Sequence, residues 1–272
     1  MDWSRTKSIF IAVFLILNIF LYMLYLNRYN DLNKIVSIDE SPIENRLKDE
    51  NITYTAPQED IKSATYIKGK VMKFSDKDLV LPNQQIDIRN GTDVTSMLIK
   101  PVKLRNIDDD KSFTDFVQTN VKGGGAYSLW KLNREERVAI FFQTKNNRPI
   151  YNMNGVIKVF WNASDEVWMY EQTMLDDVKE MKQQKNVIQP LQVIQRLYSK
   201  NLLKKGSHIT QMNLGYSTRV EVIETQVFVP TWEVHVKTSD GKIEEFFVDA
   251  VGGEVIDIQV DKDEDEEEGW GV

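Results

Sequence analysis

Residues 9–26 read IFIAVFLILNIFLYMLYL, and apart from two tyrosines the only polar residue in the run is Asn18. As a helix these residues span about 27 Å, close to the roughly 30 Å hydrocarbon core of a bilayer. The run exceeds the h-region of a cleaved signal peptide, about 7–15 residues, and no small-x-small cleavage site comes after it. The chain continues as LNRYNDLNK, bulky and polar. The stretch therefore reads as an uncleaved signal anchor, with residues 1–8 a short cytoplasmic tail. Trp3 on one side and Tyr22, Tyr25 and Tyr29 on the other suit the two interfaces.

The Lys/Arg bias across the run is slight: Arg5 and Lys7 precede it, Arg28 and Lys34 come after it. The next segment turns acidic at Asp39, Glu40 and Glu44, and the preceding tail is too short to be a domain. The expected topology is single-pass, with the N-terminus cytoplasmic and the body extracellular. An amide at mid-bilayer is unfavourable unless hydrogen-bonded. Helical spacing places Ile11, Leu15, Asn18, Tyr22 and Tyr25 on one stripe, a candidate contact for a partner helix. Composition leaves open whether Asn18 bonds to such a helix or back to its own.

The rest of the chain has the makeup of a globular body. Of the 272 residues, 42% are hydrophobic and 28% charged. The net charge of −7 is concentrated in DKDEDEEE, residues 261–268, with seven acids and one lysine. The remainder is almost neutral, so nucleic acid is not an expected partner. The chain has no cysteine, which excludes disulfides, thiolate metal sites and cysteine nucleophiles. Residues 261–272 read as an acidic, solvated tail.

Residues 27–64 read as a stalk containing a short helix from Pro42 to about Asn51. It is started by Ser41 as N-cap, Pro42 at the first position and Glu44 three residues after the cap. Strands are predicted at 66–74 and 78–82, with a turn at NGTD, residues 90–93. SFTDFVQTNV, residues 112–121, places Phe113, Phe116, Val117 and Val121 on one helical face. Strand-like runs begin at Ala126, Arg137, Gly155 and Val167. A second helix opens at Pro190 and closes at Gly206, with Leu191, Ile194, Leu197 and Tyr198 as its apolar face. After it, Trp232, Val234 and Val236 alternate with Glu233, His235 and Lys237, and strands over 244–250 and 254–260 complete a meander.

The fold class is α+β: a transmembrane helix, then two extracytoplasmic lobes, residues 65–185 and 186–260, each a helix packed on an antiparallel sheet. Such a sheet can leave its other face free for a partner. Aromatics are dense in the first lobe and fall on both strand parities. Trp130, Phe141, Trp161, Trp168 and Tyr170 are therefore candidates for an exposed apolar patch.

No catalytic constellation is visible. His208 comes after KKGS, and His235 sits on the polar side of a strand, so both read as surface imidazoles. KGGGAY, residues 122–127, lies after a helix and before a strand. That is the wrong order for a phosphate cradle and suits a helix C-cap with a turn. The acid runs Asp108–Asp110 and Asp176–Asp177 read as solvated, and the acidic tail lacks the spaced oxygens of an EF-hand loop. No enzyme activity, cofactor or metal is expected.

MDWSRTKSIFIAVFLILN at the start, YEQTMLDD (residues 170–177), LLKKGSHI with LGY (residues 214–216) and WEVHVK (residues 232–237) give the chain a wider likeness. It resembles the YycI (WalI) family along nearly its whole length. The resemblance implies a membrane-anchored accessory regulator of the sensor histidine kinase YycG (WalK), which controls cell-wall metabolism in low-GC Gram-positive bacteria. It implies action together with a similar membrane protein, YycH, and a transmembrane helix that takes part in the kinase contact. Asn18 lies in the matching ILN segment, which favours the partner-helix reading. The C-terminal stretch, VPTWEVHVKTSDGKIEEFFVDAVGGEVIDI, also resembles a PepSY domain, which implies as the alternative an extracytoplasmic protease inhibitor or chaperone.

Overall fold

The computed structural model of the chain describes residues 3–33, 43–55, 61–75, 79, 81–218 and 225–258. The acidic tail and the predicted Ser41 cap lie outside them. Contacts divide the chain into two units, residues 1–51 and 52–272.

The first unit holds two helices, α1 (Trp3–Asn33) and α2 (Ile43–Asp49). α1 has 31 residues and runs beyond the apolar stretch at both ends, about 46 Å in all. Its Lys7–Leu26 segment is long and apolar enough to cross a membrane, and none of it is buried within the protein.

The second unit begins with β1 (Thr53–Tyr54), β2 (Ser63–Val71), β3 (Gln84–Arg89), β4 (Asp93–Lys103) and α3 (Asp110–Asn120). Next come β5 (Tyr127–Asn133), β6 (Val138–Lys145), β7 (Arg148–Tyr151), β8 (Val156–Trp161), β9 (Glu166–Gln172) and β10 (Leu175–Asn186). α4 (Pro190–Ser199), β11 (His208–Ser217), β12 (Thr225–Lys237), β13 (Ile243–Asp249) and β14 (Val255–Ile256) complete it. The main path of hydrogen-bonded strands runs β10-β2-β12-β11-β7-β6-β8-β9-β4-β3.

α3 forms where the 3.6-residue pattern predicts. Asp109 caps it by accepting from the Lys111 N–H, and Phe113, Phe116 and Val117 turn inward. They meet Phe141, Ile157, Val159, Trp161 and Tyr170 from β6, β8 and β9, and the Phe113 and Trp161 rings lie 4.8 Å apart. The glycine run closes this helix with a turn, as predicted. Gly123 has φ +66°, and a Cβ on Gly124 would lie 2.0 Å from the Val117 carbonyl oxygen.

The other face of β6 carries Val138, Ile140 and Phe142 into a second core with Tyr151 of β7 and Phe247 of β13. Aromatic rings run through it in series: Trp130 to Phe142 at 5.1 Å, Phe142 to Tyr151 at 5.5 Å, Tyr151 to Phe247 at 4.9 Å. The sheet face left free by α3 is thus partly covered by strands from the C-terminal part.

The α+β class and the element order hold, while several local expectations change. The sheet is mixed rather than purely antiparallel, because β1 and β7 each pair in parallel with β11. β2, expected in the first lobe, hydrogen-bonds to β12 of the second, and β1 takes residues 53–54 out of the stalk into the sheet. Leu79 and Leu81, read as strand, lie in no strand, and Leu79 is buried with Phe74 and Val94. α4 ends at Ser199, short of Gly206, and Asn201 takes φ +57° just beyond it. Its buried residues are Val193, Ile194 and Leu197, so Val193 replaces Leu191 on the inner face.

Candidate functional site

The predicted stripe of α1 is fully displayed. Ile11, Leu15, Tyr22 and Tyr25 are each more than half exposed, and Asn18 is exposed among them. Phe10, Ile11, Phe14, Leu15, Asn18, Ile19 and Tyr22 line a shallow groove of about 540 Å³ along this face. Among the described residues, no group hydrogen-bonds the Asn18 side-chain amide. A helix with this face can span a bilayer and offer one directional polar group at mid-depth.

The five aromatics proposed for the outer sheet separate sharply. Phe141, Trp161 and Tyr170 are buried in the α3 core, so they cannot form an exposed patch. Side chains on the α3 side of β6 and β9 are enclosed by that helix. Trp130 is half-buried in the second core. Trp168, 39% exposed, is the most exposed of the five.

Trp168 owes that position to a slip in register. β9 is irregular against β8 between Phe160 and Trp161, and β4 is irregular between Met97 and Val102. Trp168 falls at this point, next to Met169, which registers with both Phe160 and Met97. Met97 (51% exposed) and Ile99 (69% exposed) alternate along β4 beside it. The result is an apolar outcrop on the adjacent strands β4 and β9, of which sequence reasoning named only Trp168.

His235 is not the surface imidazole expected from alternation. Glu233 is buried, with only 2% of its side chain exposed, and His235 Nε2 approaches its Oε1 to 2.8 Å. The approach is an ion-pair contact, without the alignment of a regular hydrogen bond. The strand carries buried side chains on both faces, because β12 is covered on the side that alternation assigned to solvent. Glu233 accepts from three further groups: Trp130 Nε1, Tyr151 OH at 2.9 Å and Asn213 Nδ2 at 3.1 Å. Those donors come from β5, β7 and β11, so one carboxylate fastens four strands.

The electrostatics arise from this geometry. Burial pushes the Glu233 carboxyl up, but the contact and charge of His235, with Trp130 and Asn213, outweigh it and hold the pKa below 4.5. Burial pushes His235 down, but Glu233, with Glu245 in support, outweighs that and raises it above 6.5. Burial raises the Tyr151 phenol well above 10, and the Glu233 charge adds to the effect, so Tyr151 stays a donor.

Beside this knot lies a cleft of about 820 Å³ between β5, β6 and the β13–β14 hairpin. Its walls include Trp130, Ile140, Phe247 and Ile256, with Lys131, Glu136, Lys200, Glu245 and Asp257 also lining it. Lys131 is paired with Glu245 at 2.9 Å and lies 5.4 Å from the Trp130 ring. His208, the other histidine, sits in β11 with its Nδ1 2.7 Å from Thr53 Oγ1. Asp176 and Asp177 are exposed, and Asp177 pairs with Lys179. Among the described residues, no cluster of three or more His, Asp or Glu could hold a metal.

The family model described as YycI protein matches residues 31–251. No curated protein is similar enough to count as a relative. A solved structure of an uncharacterized protein from Eubacterium rectale superposes with a TM-score of 0.47 at 11% identity, over 81% of this chain and all of that one. The structure of YycH from Bacillus subtilis superposes with a TM-score of 0.41 at 16% identity, over 75% of this chain and 60% of that one.

Proposed function

Because the chain belongs to the YycI family, a family of regulatory accessory proteins rather than enzymes, we propose that it modulates an essential sensor histidine kinase of the YycG (WalK) type. In this reading α1 is both the membrane anchor and the kinase contact. The N-terminus lies in the cytoplasm, residues 52–272 lie outside, and the Met97, Ile99 and Trp168 outcrop receives a YycH-like membrane protein. The kinase would be the one that governs cell-wall metabolism in low-GC Gram-positive bacteria.

The observation that supports this best is Asn18, an amide with no hydrogen-bond partner among the described residues, in the middle of an exposed apolar stripe. A transmembrane helix that only anchors has no use for such a group. An interhelical hydrogen bond is worth about 0.6–2 kcal/mol. Confinement of both proteins to one membrane raises their effective concentration, so a contact of that size suffices. Regulation results if the contact is stronger in one kinase conformation than in another.

Replacing residues 9–26 with an unrelated apolar helix that lacks a polar residue tests the reading. The expected result is a protein that still reaches the membrane but no longer alters kinase output. Unchanged output would reduce α1 to an anchor.

A further inference from the structure

We propose that the cleft between β5, β6 and the β13–β14 hairpin binds an extended peptide, apolar in its inward side chains and carrying cationic ones. Two edge strands contribute to its walls. Among the described residues, β5 pairs only with β6, and β14 pairs only with β13. Each has one edge with no strand paired to it among the described residues, and an unpaired strand edge is where a peptide adds as a strand.

The dimensions and lining agree. A volume of about 820 Å³ falls within the roughly 300–1,000 Å³ typical of ligand sites. Ile140 and Phe247 are buried side chains of the second core, and Trp130 and Ile256 pack against that core. These four give an apolar floor for alternate side chains of a strand. Trp130 is held in place by its indole N–H on Glu233, so that wall is set before any ligand arrives.

Charge selects the peptide. Lys131 is already neutralised by Glu245. The other charged side chains of the lining are Lys200, Glu136 and Asp257, which leaves a surplus of one acid. An acidic peptide would meet like charge, and a cationic one would be attracted.

The test uses the full chain in detergent micelles, with empty micelles as the control for non-specific uptake. Three dye-labelled probes are titrated by fluorescence anisotropy: acetyl-Val-Lys-Val-Lys-Val-amide, its Glu counterpart, and a copy of the Lys peptide with every backbone amide N-methylated. The expected result is saturable binding of the Lys peptide, at least tenfold tighter than either of the others. The double variant Glu136→Lys/Asp257→Lys changes two exposed side chains and is expected to reverse the charge preference without loss of fold. Equal binding of the Lys and Glu peptides, undiminished binding of the methylated one, or a preference untouched by the double variant would each overturn the proposal. So would the absence of saturable binding.

Discussion

The Tyr151 hydroxyl donates to Glu233 Oε2 at 2.9 Å, tying the short strand β7 to the long strand β12 inside the body. The same carboxylate holds Trp130 from β5 and Asn213 from β11. A buried charge is tolerated only when it is fully supplied with donors. This one is supplied by two members of the aromatic series, Trp130 and Tyr151, and by Asn213.

Removing one donor should therefore weaken the whole body. Tyr151→Phe leaves the ring in place and deletes the hydrogen bond, so the expected loss is about 1–3 kcal/mol of stability. Equilibrium urea unfolding of the wild type and the variant measures it. The variant should also unfold in one transition, because the strands that Glu233 fastens form a single network.

The Glu233–His235 pair gives stability a defined pH dependence. The folded pKa of His235 is raised above 6.5, so its contribution is complete below 6.5 and is lost as pH rises through the folded value. The folded pKa of Glu233 is lowered below 4.5, so its contribution is complete above 4.5 and is lost as pH falls through the folded value. The pair thus stabilises most between pH 4.5 and 6.5. Melting temperatures taken across pH should fall on the alkaline side of this window in the wild type. That fall should flatten in His235→Asn.

Gly215, the centre of the LGY motif, sits where β11 runs beside β7. A Cβ there would lie 2.5 Å from the Tyr151 ring and 2.6 Å from the Pro149 carbonyl oxygen. Gly215→Ala is expected to destabilise by about 1–3 kcal/mol, the usual range for overpacking. Gly125, with nothing within 4 Å of an added Cβ, is the control, and Gly125→Ala should be close to neutral in the same urea measurement.

The outer-sheet aromatics separate structure from recognition. Phe141→Ala empties a buried site and should lower stability by about 3–5 kcal/mol. Trp168→Ser and Ile99→Ser act on exposed side chains and should leave the urea midpoint nearly unchanged. In the proposed function they should weaken co-purification of a YycH-like partner, and Phe141→Ala should do so only through unfolding.

Much of this fold was legible in the sequence because local signals agreed with one another. The apolar run gave α1, the 3.6-residue pattern gave α3, and Pro190 marked the start of α4. What escaped was set by long-range pairing. β10 and β11 carry weak alternation and exist because β2, β7 and β12 supply their hydrogen bonds. The burial of Glu233 depends on Trp130 and Tyr151, 103 and 82 residues away in sequence, and no pattern within β12 announces it. Strand parity could not choose between Trp168 and Tyr170, because the register slip that exposes Trp168 depends on β4 and β8. Helical spacing alone defines the stripe around Asn18, with no long-range pairing needed.

That stripe carries the central claim, and photo-crosslinking from Leu15 and Tyr22 in living cells tests it most directly. A photoreactive residue is placed at each position, with and without Asn18→Leu, and the captured species is identified by mass. The expected result is capture of a sensor histidine kinase or its YycH-like partner from both positions, lost in Asn18→Leu. Labelling of lipid alone at both positions would contradict the account and leave α1 as an anchor.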